Sequence, residues 1–193
     1  MNKLLVGIGV IVVLIGVASW VYFASDSRSP VERIADDTKL QDAEALDQMA
    51  RAVFNRVENA TCEDVSGGIR QSIEILGSSE SQIKTLSGQT AEDAAKIAKS
   101  AILMPLLFDL QEYLPLAQKR GLKELEVTAF ATLLDTKAGK EIRAKIFVVS
   151  IPEDKFSAIQ AIKFSMNSMS TIDKDFARAG VVKFDGFEQV VYK

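Results

Sequence analysis

No histidine occurs anywhere in the 193 residues, and cysteine appears once, at Cys62. The first absence removes together the commonest general base, the commonest zinc ligand and the usual pH switch of the physiological range. Ser-His and Cys-His nucleophile pairs go with it, as do zinc sites built from imidazole and thiolate. A solitary thiol forms no internal disulfide, and it suits an oxidising compartment as well as a reducing one. Carboxylate, lysine and hydroxyl chemistry is what remains.

Positive charge is scarce as well. Lys3 is the sole charged residue before position 25, so the rest of the chain holds 22 basic against 26 acidic side chains, a net of −4. Affinity for nucleic acid is built on clustered positive charge, so nucleic acid is not expected as a partner. With 48% hydrophobic and 25% charged residues the composition is globular, and the length allows one domain of ordinary size behind a leader.

What the chain does have is one long hydrophobic run. Leu4 to Ala24 is 21 residues without a charge. At 1.5 Å per residue such a helix is about 31 Å long, matching a bilayer hydrocarbon core of about 30 Å. The apolar region of a cleavable signal peptide is normally shorter, about 7 to 15 residues. Trp20, Tyr22 and Phe23 cluster at the distal end, where amphipathic rings favour the membrane–water interface, and Ser25, Asp26, Ser27 and Arg28 follow as a polar stop. These features predict a retained transmembrane signal-anchor over residues 1–24, with membrane contact through 4–24. The specific alternative is cleavage after Ser19, with Val17 and Ser19 at the recognition positions, which releases a soluble secreted domain. A short amino-terminal tail holding Lys3 in the cytoplasm predicts a single-pass protein of the cell membrane with an extracytoplasmic, periplasmic C-terminal domain.

Residues 25–38 (SDSRSPVERIADDT) are polar, contain Pro30 and read as a juxtamembrane tether. Residues 39–193 then form a single exported domain. Leu46, Met49, Ala50, Val53, Phe54 and Val57 recur at helical spacing and predict a helix over 41–59; Val65, Ile69, Ile73 and Leu76 predict another. Ile83 and Leu86 add a helical turn, and Thr90 with Glu92 and Asp93 predicts the start of a helix that runs into Pro105. From Leu125 to Leu133 the period is two, and it returns from Ile142 to Val148 across the turn-like DTKAGK, which predicts a hairpin. Pro152-Glu153-Asp154 opens a helix with apolar positions from Phe156 to Phe176, and Asp185-Gly186 predicts the turn of a terminal hairpin. The expected fold is α+β: an N-terminal transmembrane helix, a helical segment, and an antiparallel sheet of two β-hairpins separated by a helix.

Motifs for chemistry are few. Ser81-Gln82-Ile83-Lys84 fits S-x-x-K, but neither of that family's companion motifs, S-D-N and K-T-G, follows. The acid pairs Asp36-Asp37, Glu63-Asp64, Glu92-Asp93 and Glu153-Asp154 each fall near a predicted helix start, where negative charge offsets unpaired amides without any catalytic role. Cys62 stands near such a start too, where a thiol becomes reactive, although a buried inert cysteine is the commoner case. Asn59-Ala60-Thr61 is a glycosylation sequon, relevant only in a eukaryotic secretory pathway. No catalytic, cofactor-binding or metal-binding residue is assigned. The run AILMPLLF at 101–108 is too short to cross a bilayer and reads as interior. Were it exposed, Leu103, Leu106 and Leu107 together with Met166 and Met169 would form an apolar ligand or partner surface. The functional expectation is a membrane-anchored, non-enzymatic binding or scaffold protein that contacts other envelope proteins or its own copies. The alternative is a carrier of a lipid or other apolar ligand.

Overall fold

Period two, not period 3.6, governs residues 57–76. Val57–Val65 forms strand β1 and Gly68–Leu76 forms β2, an antiparallel pair joined by Ser66 and Gly67. The helix expected over Val65–Leu76, and the last turn of the one expected over 41–59, are therefore corrected to a hairpin. A spacing of four is two strand periods as well as one helical turn, so Val65, Ile69 and Ile73 fit both readings. The β-branched side chains and the Ser66-Gly67 turn decide between them, Gly67 adopting φ +86°. A computed structural model describes residues 28–77, 91–135, 140–163 and 172–189.

Two helices precede the hairpin, α1 (Pro30–Asp36) and α2 (Asp42–Val53). Residues read as tether thus belong to the fold. Ser29 Oγ accepts from the Glu32 amide at 3.2 Å while the Glu32 carboxylate accepts from the Ser29 amide at 2.6 Å, a reciprocal cap with Pro30 at the first helical position. Val31 and Ala35 are the buried side of this short helix.

The long helix α3, Ala91–Lys119, passes through both Pro105 and Pro115 instead of ending at the first. Each proline removes a helical hydrogen bond, yet both lie on the exposed side, and tertiary packing of the other side holds the helix together. That side is Ile102, Leu103, Leu106, Leu107, Leu110, Tyr113, Leu114 and Ala117, all buried. Gly121, at φ +78°, turns the chain into β3 (Leu122–Asp135), which pairs with β4 (Lys140–Pro152) as the expected hairpin.

A 3-10 turn (Glu153–Lys155) and α4 (Phe156–Gln160) begin the helical stretch expected from Pro152, and α5 (Ile172–Ala179) follows as the second short helix expected with Asp173 at its start, with 164–171 outside the described residues. The terminal hairpin is a second correction: Asp185-Gly186 lies inside one strand, β5 (Val182–Gln189). Phe147 pairs with Asp185 and Lys145 with Glu188, so two β5 residues oppose one residue of β4 there. Glycine at that point marks a bulge, the other structural use of Asp-Gly in a strand.

The five strands lie in the order β1-β2-β3-β4-β5. β2 and β3 are parallel, with α3 as the crossover that a parallel pair requires, and the other pairs are antiparallel. The fold is α+β with a mixed sheet, not the purely antiparallel one expected. Ile73, Ile75, Leu125, Val127, Ala129, Phe147, Val149 and Ile151 on one face of the sheet share a core with the inward sides of α1 to α5. Among the described residues no helix is long and apolar enough to cross a membrane. Residues 4–24, including Trp20, Tyr22 and Phe23, lie outside the described residues, as do the Ser81–Lys84 motif, Thr90, Met166 and Met169.

Candidate functional site

Alternation along the strands leaves the second face of the sheet polar. Register aligns Thr61, Ser72, Glu126 and Ser150 in one row across β1 to β4, Asn59, Glu74, Thr128 and Val148 in the next, and Glu63, Arg70, Glu124 and Pro152 in a third. The helices share their core with the opposite face, so this one presents hydroxyls and carboxylates, with Ser72, Glu74, Glu126 and Thr128 half-exposed. Ion pairs fasten its margins: Arg70 to Glu124 at 2.8 Å, Arg143 to Glu58, and Lys145 to Glu188. The Arg143 guanidinium also sits 4.2 Å above the Phe130 ring. Six carboxylates on or beside the face (58, 63, 74, 124, 126, 188) against three cations (70, 143, 145) make it acidic.

β1 is the first strand of the sheet, with one edge free of any partner strand among the described residues. A bulge at Glu58, between Val57 and Asn59, and the exposed acids Glu63 and Asp64 limit indiscriminate strand pairing there. Cys62 points to the other face, its Sγ 3.6 Å from the Ala43 carbonyl of α2. Burial, with the Asp47 carboxylate adding to it, pushes the thiol up to about 11. The helix N-terminus expected beside Cys62 is a strand, so nothing there lowers its pKa.

A cleft of about 280 Å³ opens where β2 ends, between the Asn55-Arg56 loop, Leu76 and Gly77, and the Ala101–Asp109 stretch of α3. Arg56 adopts φ +56°, a left-handed conformation unusual for a side chain of its size, and its carbonyl accepts from the Leu76 amide at 3.1 Å. Asp109 forms one wall. Burial raises its carboxyl to about 6, the Asn55 amide hydrogen bond opposes that rise, and the Glu112 carboxylate adds to it. A carboxyl on a largely apolar floor of Ile75, Ile102, Pro105 and Leu106 can exchange a proton near neutral pH, and no second carboxyl lines the cleft to share that chemistry.

Of the apolar residues named from sequence, Leu103, Leu106 and Leu107 are in the core, and Leu106 also reaches the cleft floor. Met166 and Met169 cannot be placed with them, lying outside the described residues. Of the acid pairs, Glu153-Asp154 does open a helical turn, whereas Glu63-Asp64 is in β1 and Asp36-Asp37 closes α1. Asp36 finds its compensation in Arg28 at 3.3 Å and Lys119 at 4.0 Å. Among the described residues no group of three or more Cys, Asp or Glu is placed to hold a metal ion.

Arg120 was not legible as a structural residue in the sequence. It is 9% exposed and donates to the carbonyls of Ala35 at 2.7 Å, Ile34 at 3.1 Å, Leu40 at 3.4 Å and Asp37, and to Asp42 Oδ1 at 3.2 Å. A guanidinium at the end of α3 thereby clasps α1 and the loop behind it. The sequence shows only a basic residue before a helix-ending glycine; its partners lie some 80 positions upstream.

The class that the fold defines is an α+β domain with one face of a mixed sheet covered by helices and the other carrying no helix among the described residues. Comparison with family models, with curated proteins and with solved structures finds no match to this chain.

Proposed function

We propose that the chain is a single-pass, membrane-anchored and non-enzymatic binding protein. Its extracytoplasmic domain contacts other envelope proteins, or further copies of itself, through the bare sheet face and the β1 edge. The observation that carries this reading is the acidic face spanning β1 to β4, a surface of regular spacing that no helix covers among the described residues, beside a β1 edge with no partner strand among them. The uncharged run of 21 residues supplies the anchor, and the absence of histidine leaves recognition as the simplest use of the surface.

Photo-crosslinking of the full chain at native expression tests this. A crosslinking residue at Asn59, Thr61 or Glu63 yields a discrete adduct, while one at exposed Lys174 on α5 yields none. Absence of any adduct from all three β1 positions contradicts the proposal.

A further inference from the structure

Pro105 has no amide proton, so the carbonyl of Ala101, one helical turn earlier, loses the donor that an unbroken helix supplies. Ala101, Pro105 and Asp109 follow one another along a single row of α3, and all three line the cleft of about 280 Å³ at the end of β2. Helical side chains tilt toward the N-terminus, which brings the Asp109 carboxylate back toward the Ala101 carbonyl. The side of the cleft formed by α3 thus presents two hydrogen-bond acceptors over the apolar floor of Ile75, Ile102 and Leu106.

Backbone donors around the cleft are already committed. The Leu76 amide donates to the Arg56 carbonyl at 3.1 Å, the Gly77 amide to the Phe130 carbonyl at 2.8 Å, and the Asn55 amide to Asp109 itself. Among the described residues none forms an ion pair with the Asp109 carboxylate. Arg56 also lines the cleft, yet a guanidinium beside Asp109 would hold its carboxyl low, whereas burial and the Glu112 carboxylate raise it. The walls are set in place: Arg56 is held in its left-handed conformation, and a Cβ on Gly77 would overlap the Ile102 side chain, so the end of β2 is pressed against α3.

We propose that this cleft binds a small primary amine, whose ammonium group donates to the Asp109 carboxylate and the Ala101 carbonyl while a short apolar body lies on Ile75, Ile102 and Leu106. An ammonium brings three donors and a positive charge to a place that offers acceptors and a carboxylate without a counter-charge. An alcohol brings one donor and no charge, and an anionic ligand meets repulsion from Asp109 and Glu112. Pockets for drug-sized molecules run from about 300 to 1,000 Å³, so a cleft of about 280 Å³ takes a compact occupant of the size of benzylamine. The site lies between α3 and the loop from α2 to β1, and it depends neither on the leader nor on the sheet face proposed for recognition.

The test uses the full chain in maltoside micelles, which hold it whether or not its leader spans a membrane. para-Fluorobenzylamine is titrated while its fluorine NMR line width is followed, with para-fluorobenzyl alcohol and para-fluorobenzoate as neutral and anionic probes of the same shape and empty micelles as the blank. The amine binds saturably and about tenfold more tightly than the alcohol, the benzoate does not bind, and Asp109→Asn brings the amine to the level of the alcohol. From pH 7.5 to pH 5.0 the affinity for the amine falls about tenfold as the Asp109 carboxyl, at about 6 with Arg56 and Glu112 as the charged groups around it, takes up a proton; Asp109→Asn abolishes that dependence. Pro105→Ala returns an amide donor to the Ala101 carbonyl and weakens the amine several-fold with the pH dependence intact. An amine that binds no better than the alcohol, or as tightly to Asp109→Asn as to the parent, overturns the inference. An affinity that Pro105→Ala leaves unchanged overturns the part given to the carbonyl.

Discussion

Asp109 shows how one side chain ties local burial to the pH response of the whole fold. Its folded pKa of about 6 lies above the ordinary carboxylate value of 3.8, so the fold favours the protonated form. The associated stability is present in full below about pH 4 and is lost as pH rises through about 6. Asp109 is half-exposed, so solvent screening reduces the effect to about 1 kcal/mol. Asp109→Asn keeps an oxygen for the Asn55 amide and removes the ionisation. Thermal unfolding should then show parity with the parent at pH 3.5 and a melting temperature about 2–4 °C higher at pH 8. At Cys62 the prediction concerns reactivity. A thiol at about 11 is about 0.1% thiolate at pH 8, so iodoacetamide should leave the native protein essentially unlabelled and modify it promptly in denaturant. Labelling of native protein at the rate of a free thiol contradicts the placement of Cys62 against Ala43.

At the scale of elements, the sequence was legible where one periodicity stood alone. The β3–β4 hairpin alternates for nine residues from Leu125 to Leu133, a pattern no helix produces, and α2 repeats at three-four spacing. It was ambiguous where apolar residues fell four apart in β2, and misleading at Asp185-Gly186, where the residue pair of a turn makes a bulge. Contacts between distant segments left no local signal. Arg120→Ala should cost about 3 kcal/mol in chemical denaturation and accelerate amide exchange over Pro30–Asp36, and Arg120→Lys should recover little, because an ammonium cannot reach five acceptors at once. Gly68 is a second such contact. A Cβ there meets the Gly121 carbonyl and the Lys123 side chain, and that same carbonyl accepts from the Ile69 amide at 2.9 Å. Gly68→Ala should destabilise by about 1–3 kcal/mol.

For the whole molecule, the chain divides its labour between a hydrophobic leader, a helical layer and a bare sheet. The helices bury one face of the sheet; in the function proposed above the leader would set the place of the domain and the other face would serve recognition. Among the described residues, Asp109 is the one carboxyl that lines its cleft. Candidate sites were less legible than elements, because the polar face exists only once register brings Thr61, Ser72, Glu126 and Ser150 into line from four separate strands. The central claim, an anchored domain facing out of the cytoplasm, is tested most directly by mass spectrometry of the mature amino terminus combined with protease accessibility of intact cells. The account predicts a membrane-fraction chain that retains Leu4–Ala24 and a domain from residue 28 onward open to protease added outside the cytoplasmic membrane. A soluble chain beginning at Trp20, or a domain protected until that membrane is broken, contradicts it.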